Sequence, residues 1–201
     1  MKTVLHVGCG AKTIRDLPRY FAGWREVRVD LDPAARPDLV ASLTDLRGVR
    51  AGSVDAVFSS HNLEHLYAHE VPVALGEFRR VLKADGFALI TTPDLEAVAR
   101  VVAKGGLDEK LYDSPAGPIA PIDVIFGHRA SIERSPLMAH RTGFSKKTLL
   151  ALLMQAFASA ACGFGRSYDL WAVGLPTARS AAQAGAKLKE IARELKPPAR
   201  A

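Results

Sequence analysis

Only two cysteines, Cys9 and Cys162, occur among the 201 residues. They are too few for a disulfide framework, so a reducing compartment is expected. Aromatic residues make up only 7% of the chain. No basic surface studded with aromatics stands out, which argues against a nucleic-acid substrate. No apolar run approaches the roughly 20 residues that a membrane-spanning helix needs. Strand-like sequence begins at Val4, which leaves no room for a signal peptide, so a cytoplasmic location is expected. Internal repeats are also missing. The net charge of +6 is unevenly spread: Arg179, Lys187, Lys189, Arg193, Lys196 and Arg200 face only Glu190 and Glu194 at the end of the chain. That excess reads as a solvated helix face rather than a polyanion site. Length and composition fit one domain over residues 1–178, followed by a basic amphipathic helix and tail over 179–201.

What is present begins with Val4-Leu5-His6-Val7-Gly8-Cys9-Gly10. An apolar run closed by glycines reads as a buried strand ending in a tight turn. Without Cβ atoms, Gly8 and Gly10 can adopt unusual backbone angles and admit another molecule close to the main chain. A short helix over residues 14–22 is expected next, its free N–H groups facing the same space. Glu26 to Asp30 then reads as a second strand ending in an acid. A glycine loop after the first strand, with an acid after the second, is how open α/β sheets hold a nucleoside.

Strand and helix go on alternating. Leu39–Ala41 and Val54–Ser60 read as strands, residues 70–83 as a helix burying Val71, Leu75, Phe78 and Leu82, and Phe87–Thr92 as a fifth strand after a turn at Asp85-Gly86. The rhythm breaks over residues 103–143, a Pro- and Gly-rich excursion of lid or substrate-loop character. Ser145 caps a helix running from Lys146 to Phe157. Residues 159–164 and 168–174 are strands too close for a parallel crossover, which predicts an antiparallel hairpin. A last helix over 179–195 carries Leu188, Ile191, Ala192 and Leu195 on one stripe. It must dock on the body or on a partner, and a homodimer through it or through the excursion is one expectation. The fold class is α/β: a Rossmann-like, mostly parallel sheet with a C-terminal antiparallel hairpin and helices on both faces.

Four ordered motifs carry a resemblance: Leu5-His6-Val7-Gly8-Cys9-Gly10, Val29-Asp30-Leu31-Asp32-Pro33, the run from Asp55 to Leu66, and the run from Glu77 to Gly86. From Val4 to about Leu175 the chain resembles a class I S-adenosylmethionine-dependent methyltransferase of the type 11 kind. The resemblance implies S-adenosyl-L-methionine as cofactor. Gly8, Cys9 and Gly10 would lie against its amino-acid part, Asp30 would bind the ribose hydroxyls, and Leu31 would pack on the adenine. Ser59, Ser60 and His61 would face the methionine part and the methyl group. Ser42 and Leu43 stand where the family often has an adenine-binding acid and its neighbour, and Asp45 is the nearest substitute. His6 stands where many members carry an acid, and Lys12 where the third glycine of the loop is often found.

Because a sulfonium is already an activated methyl donor, alignment and exclusion of water are the main demands. A base would help an oxygen or nitrogen nucleophile, and the candidates are His61, His65, Asp94, His128 and His140, with His61 leading from its place at a strand end. Asp94, Tyr112, His128, Arg129 and Arg141 are candidate contacts for a small-molecule acceptor, the two arginines suggesting an anionic group. His61-Asn62-Leu63-Glu64-His65 also fits an inverted zinc-peptidase pattern. That pattern needs both histidines within one longer helix. Here it follows a strand directly, so no metal is expected. A nicotinamide oxidoreductase would share the loop and Asp30, but its fingerprint needs glycine where Thr13 stands. A non-catalytic module that binds S-adenosylmethionine remains the other alternative.

Overall fold

The computed structural model describes residues 1–114, 116–165, 168–178 and 180–194. Nine strands are assigned among them: β1 (Thr3–Val7), β2 (Arg25–Asp30), β3 (Leu39–Val40), β4 (Val54–Ser60), β5 (Leu82–Pro93), β6 (Tyr112–Ser114), β7 (Gly117–Ile119), β8 (Ser159–Phe164) and β9 (Asp169–Leu175). Six helices accompany them: α1 (Val71–Val81), α2 (Leu95–Val102), α3 (Pro121–Phe126), α4 (Arg129–Arg134), α5 (Lys146–Ala156) and α6 (Ala181–Glu194). Seven strands form one sheet in the order β3-β2-β1-β4-β5-β9-β8. The first five run parallel, and β9 lies antiparallel to both β5 and β8. This is the expected mostly parallel sheet with its reversed C-terminal hairpin.

Alternation along the strands supplies both faces of the sheet, because successive side chains point to opposite sides. Leu5, Val7, Val57 and Ile90 join Leu75 and Phe78 of α1 and Leu149 and Leu153 of α5 in one core. Val4, Ala56, Phe58, Leu89 and Val173 face the other way and pack with Phe21 and with Ala184 and Ile191 of α6. The apolar stripe of α6 is therefore spent within the chain. Its predicted members Leu195 and the Ala192 side chain lie outside the described residues, and Leu188 is packed at the edge of this core.

Three local expectations change. The helix predicted over 14–22 is instead two 3-10 turns, Ile14–Asp16 and Arg19–Phe21. Pro18 has no N–H to donate, and Leu17 before it is extended at ψ 159°, as a residue preceding proline prefers. Strand β5 begins at Leu82 rather than Phe87 and runs through Asp85-Gly86. A Cβ at Gly86 would lie 2.9 Å from the Asp55 carbonyl oxygen, so only glycine lets the strands approach there. Helix α2 has no counterpart in the sequence expectation; Asp94 caps it by accepting from the Ala97 amide at 3.3 Å. The 103–143 excursion is built from the β6–β7 hairpin, α3, α4 and a 3-10 turn at Pro136–Met138.

Candidate functional site

Strand register brings the predicted cofactor residues to one edge. Val29, Val7, Ser59 and Ile90 stand in one row across β2, β1, β4 and β5. Asp30, Gly8 and Ser60 therefore come side by side at the carboxyl edge of the sheet, where open α/β sheets hold ligands, while β5 runs on past Thr91 to Pro93. Asp30 accepts from the Gly10 amide at 2.7 Å and from the Asp32 amide at 2.9 Å, tying the glycine turn to the end of β2. Gly8 and Gly10 have φ of +60° and +52°, a region that glycine enters at no steric cost. Among the described residues a Cβ at Gly10 would meet nothing within 4 Å, so the turn is open to them on that side. Leu31 is 50% exposed, an apolar side chain left uncovered beside Asp30.

Arg28 completes this clasp. Its guanidinium donates to the carbonyl oxygens of Gly10, Lys12, Ala35 and Arg36 at 2.6–3.0 Å, joining the glycine turn to the loop after β2. Five N–H donors in a rigid fork make this possible. Nothing local in the sequence marks a strand arginine such as Arg28 as a cross-loop tie.

His6 and Cys9 are buried. His6 points to the sheet face opposite Leu5 and Val7 and meets Glu26 through Nδ1 at 2.8 Å; the other Glu26 oxygen accepts from the Ile14 amide at 2.7 Å. Burial pushes the His6 imidazole below its ordinary value more strongly than Glu26 raises it. Burial likewise pushes the Cys9 thiol up, away from reactive thiolate character. Ser42 pairs with the Thr44 hydroxyl at 2.8 Å, Leu43 is packed in the core, and Asp45 pairs with Arg47 at the surface. Ser59 is buried, and Ser60 accepts from the Thr91 hydroxyl at 3.0 Å.

Beyond Ser60 the chain turns sharply, with His61 at φ 55°. A histidine held in the left-handed region is strained, and such strain gathers at sites where geometry is over-determined. Next to it lies a pocket of about 170 Å³ whose polar lining is His61, Glu64, His65, Tyr112, Asp123, His128 and His140. Four predicted catalytic candidates and Tyr112 are thereby brought together. Asp94, Arg129 and Arg141 are not. Asp94 caps α2, Arg129 is paired with Asp123 at 2.8 Å, and the Arg141 guanidinium sits 4.9 Å from the Tyr67 ring centre.

Glu64 was legible only as a letter in a decoy motif. It is 1% exposed, and neither carboxylate oxygen accepts a hydrogen bond among the described residues. His61 Nδ1 lies 3.4 Å from Oε1, a charge contact without hydrogen-bond geometry. Burial pushes this carboxyl up, but His61 and then His65 outweigh it and hold it below the usual range. Enclosure lowers the half-exposed His61 imidazole, and Glu64 more than offsets that, so it titrates above its ordinary value. Burial is the main reason that His140 is lowered.

A parallel sheet ended by a reversed strand, with a glycine turn and an acid on adjacent strand ends, defines the fold as that of class I S-adenosylmethionine-dependent methyltransferases. Residues 5–90 match the family described as a methyltransferase domain, the stretch that holds all four motifs. A S-adenosylmethionine-dependent methyltransferase from Archaeoglobus fulgidus is similar at 15% identity over 86% of this chain and 85% of that one, with a TM-score of 0.59. A protein from Pyrococcus horikoshii OT3 is similar at 16% identity over 87% and 82%, also at 0.59. The 1,6-didemethyltoxoflavin-N1-methyltransferase of Burkholderia thailandensis, solved with bound 1,6-didemethyltoxoflavin and S-adenosylhomocysteine, shares 17% identity over 86% of this chain and 69% of that one at 0.50. At these identities the likeness is one of fold. No curated protein matches the chain. No helix among the described residues is long and apolar enough to cross a membrane.

Proposed function

We propose that this chain transfers a methyl group from S-adenosylmethionine to an oxygen or nitrogen nucleophile of a small-molecule acceptor. The observation that carries the reading is the single row of strand ends, in which Asp30, Gly8 and Ser60 follow the paired residues Val29, Val7 and Ser59 and lead through His61 into the pocket. The residues fit the cofactor. The open side of Gly10 gives its amino-acid end room against the turn. Asp30 has lone pairs left, beyond those used by Gly10 and Asp32, for two ribose hydroxyls. Exposed Leu31 offers an apolar face to a base, and Ser42, Leu43 and Asp45 follow β3 nearby in the chain.

When bound, S-adenosylmethionine supplies a methyl carbon on a cationic sulfur, which needs no further activation. The protein's part is to align the acceptor with that carbon and keep water out. A pocket of about 170 Å³ suits a small acceptor or the reactive end of one. His61, Tyr112 and His128 are the groups it offers for hydrogen bonding. Arg129 already has Asp123 as its counter-ion, so the suggestion of an anionic acceptor loses its main support.

Calorimetry against S-adenosylmethionine, S-adenosylhomocysteine and NAD tests the first half: the two sulfur compounds should bind and NAD should not. Binding of NAD alone would overturn the reading. Mass spectrometry of cell extract treated with the protein and a deuterated methyl donor tests the second half. The expected result is one or more small metabolites gaining a labelled methyl; binding without any labelled product would reduce the protein to a cofactor-binding module.

A further inference from the structure

The pocket's inner wall carries a group of side chains that methyl transfer does not require. We propose that Glu64, His65 and His140 bind a divalent transition-metal ion there, with its open positions turned towards the acceptor. Glu64 and His65 belong to the 3-10 turn Leu63–His65 just after β4, and His140 comes from the end of the 103–143 excursion. The zinc pattern in the sequence would use His61 and His65 as ligands. The fold assembles a different trio, which no local spacing reveals.

Several observations converge on this site. One ligand atom from each of the three residues lies within 4.8 Å of the others. An ion about 2.1 Å from each would bring them to roughly 3.4 Å apart, within reach of small side-chain rotations. The Glu64 carboxylate is buried with both oxygens lacking a hydrogen bond among the described residues, an arrangement costly unless a cation meets it. The Glu64 main chain, by contrast, is fixed: its carbonyl accepts from the amides of Arg141 and Thr142 at 2.7 and 3.2 Å. His65 Nδ1 donates to the Ala139 carbonyl at 3.2 Å, and His140 Nδ1 donates to the Val124 carbonyl at 2.8 Å. Both rings are thereby held in the tautomer whose Nε2 carries a lone pair, the arrangement that metal-binding histidines adopt. The two rings meet edge to face at 4.9 Å.

Two imidazoles and one carboxylate favour zinc, iron(II) or cobalt(II) over magnesium or calcium, which prefer all-oxygen shells. Three protein ligands leave coordination positions free, and the pocket is where they would open. The ligand class is therefore an oxygen of the acceptor, such as a hydroxyl. That last step rests on the methyl-transfer reading above; binding of the ion does not. An ion here would also tie the excursion to the end of β4, so it should stabilise the fold. The competing account is a closed charge cluster in which protonated histidines alone balance Glu64.

The test uses the full chain stripped with a chelator and titrated separately with zinc, cobalt(II) and magnesium. Bound metal is measured by equilibrium dialysis with elemental analysis, cobalt coordination by visible absorption, and stability by thermal unfolding. Zinc and cobalt should each bind at about one equivalent and raise the melting temperature, with magnesium far weaker. Glu64→Gln and His140→Ala should each weaken cobalt binding by at least roughly tenfold while circular dichroism stays native. Failure of the wild-type chain to bind zinc or cobalt would overturn the proposal, as would unchanged binding in the near-isosteric Glu64→Gln. A chain that binds metal but no S-adenosylmethionine would remove the functional reading and leave the metal site standing. The converse result would remove the metal site alone.

Discussion

Asn62 occupies the space that a side chain at Gly8 would need. A Cβ on Gly8 would lie 2.1 Å from Asn62 Oδ1, and Asn62 Nδ2 donates to the Val7 carbonyl at 2.9 Å. The glycine turn is thus held from behind by the end of β4, and Gly8 is small for the sake of a neighbouring side chain. Gly8→Val should therefore destabilise the fold by about 2–4 kcal/mol, through the clash and the φ of +60° together. Urea unfolding checks this, and Asn62→Ala in the same background should recover part of the loss. Unchanged stability of Gly8→Val would show that Asn62 swings aside freely.

Gly10 is the position that probes the cofactor. No atom of the described residues lies within 4 Å of its missing Cβ, so Gly10→Val should cost only about 1–2 kcal/mol of backbone strain. Binding of S-adenosylmethionine, measured by calorimetry, should nonetheless fall by more than tenfold. Full affinity in that variant would put the ligand elsewhere.

Arg28→Lys keeps the charge and loses the fork. One ammonium cannot reach four carbonyls on two loops, so the clasp between the glycine turn and residues 35–36 should loosen. Cofactor affinity is expected to drop about tenfold, with the helical circular dichroism signal unchanged. Equal dissociation constants for the two proteins would refute the clasp.

Helix α6 should behave as part of the core. Ile191 is fully buried with Phe21 and Val173, so Ile191→Ala should cost about 2–4 kcal/mol. Exposed Lys189→Ala is the control and should lie within about 0.5 kcal/mol of wild type. Denaturant titration of both variants decides; matching midpoints would mean that α6 contributes nothing to global stability.

The buried His6 gives stability an acid-side slope. Its folded-state value lies below the ordinary 6.5, so the unfolded chain binds the proton more readily. Its contribution is whole above pH 6.5 and fades as pH falls from there through the lowered folded value. His6→Gln, which keeps a donor for Glu26, should flatten the stability profile in that window, as read from melting temperatures across pH. An identical profile would place the acid sensitivity in other groups.

Apart from the two-residue β3, the elements that sequence pattern foretold have enough residues for a period or an apolar run to show. α1 and α5 carry apolar residues at helical spacing, and β1 and β4 are apolar runs cut off by turns. α2 is 8 residues long and follows a proline, and α3 and α4 are shorter still, so their periodicity was too brief to read. The helix expected after the glycine loop failed because Leu17-Pro18 outweighed the surrounding pattern. In the site, Gly10 and Asp30 were legible because a strand end fixes where the next residue goes. Glu64 was not, since the segment that meets its main chain, through the Arg141 and Thr142 amides, comes from 77 and 78 positions away along the chain.

The chain by itself determined the α/β sheet, the reversed hairpin at its end, and the glycine turn with an acid beside it. Each follows from local propensity, alternation and the length of a connection. Tertiary structure alone decided that Asn62 backs Gly8, that Arg28 clasps two loops, and that His140 joins Glu64 and His65. Those relationships depend on which distant segments cover one another, and such covering is set by packing of the whole sheet rather than by any residue's neighbours in sequence.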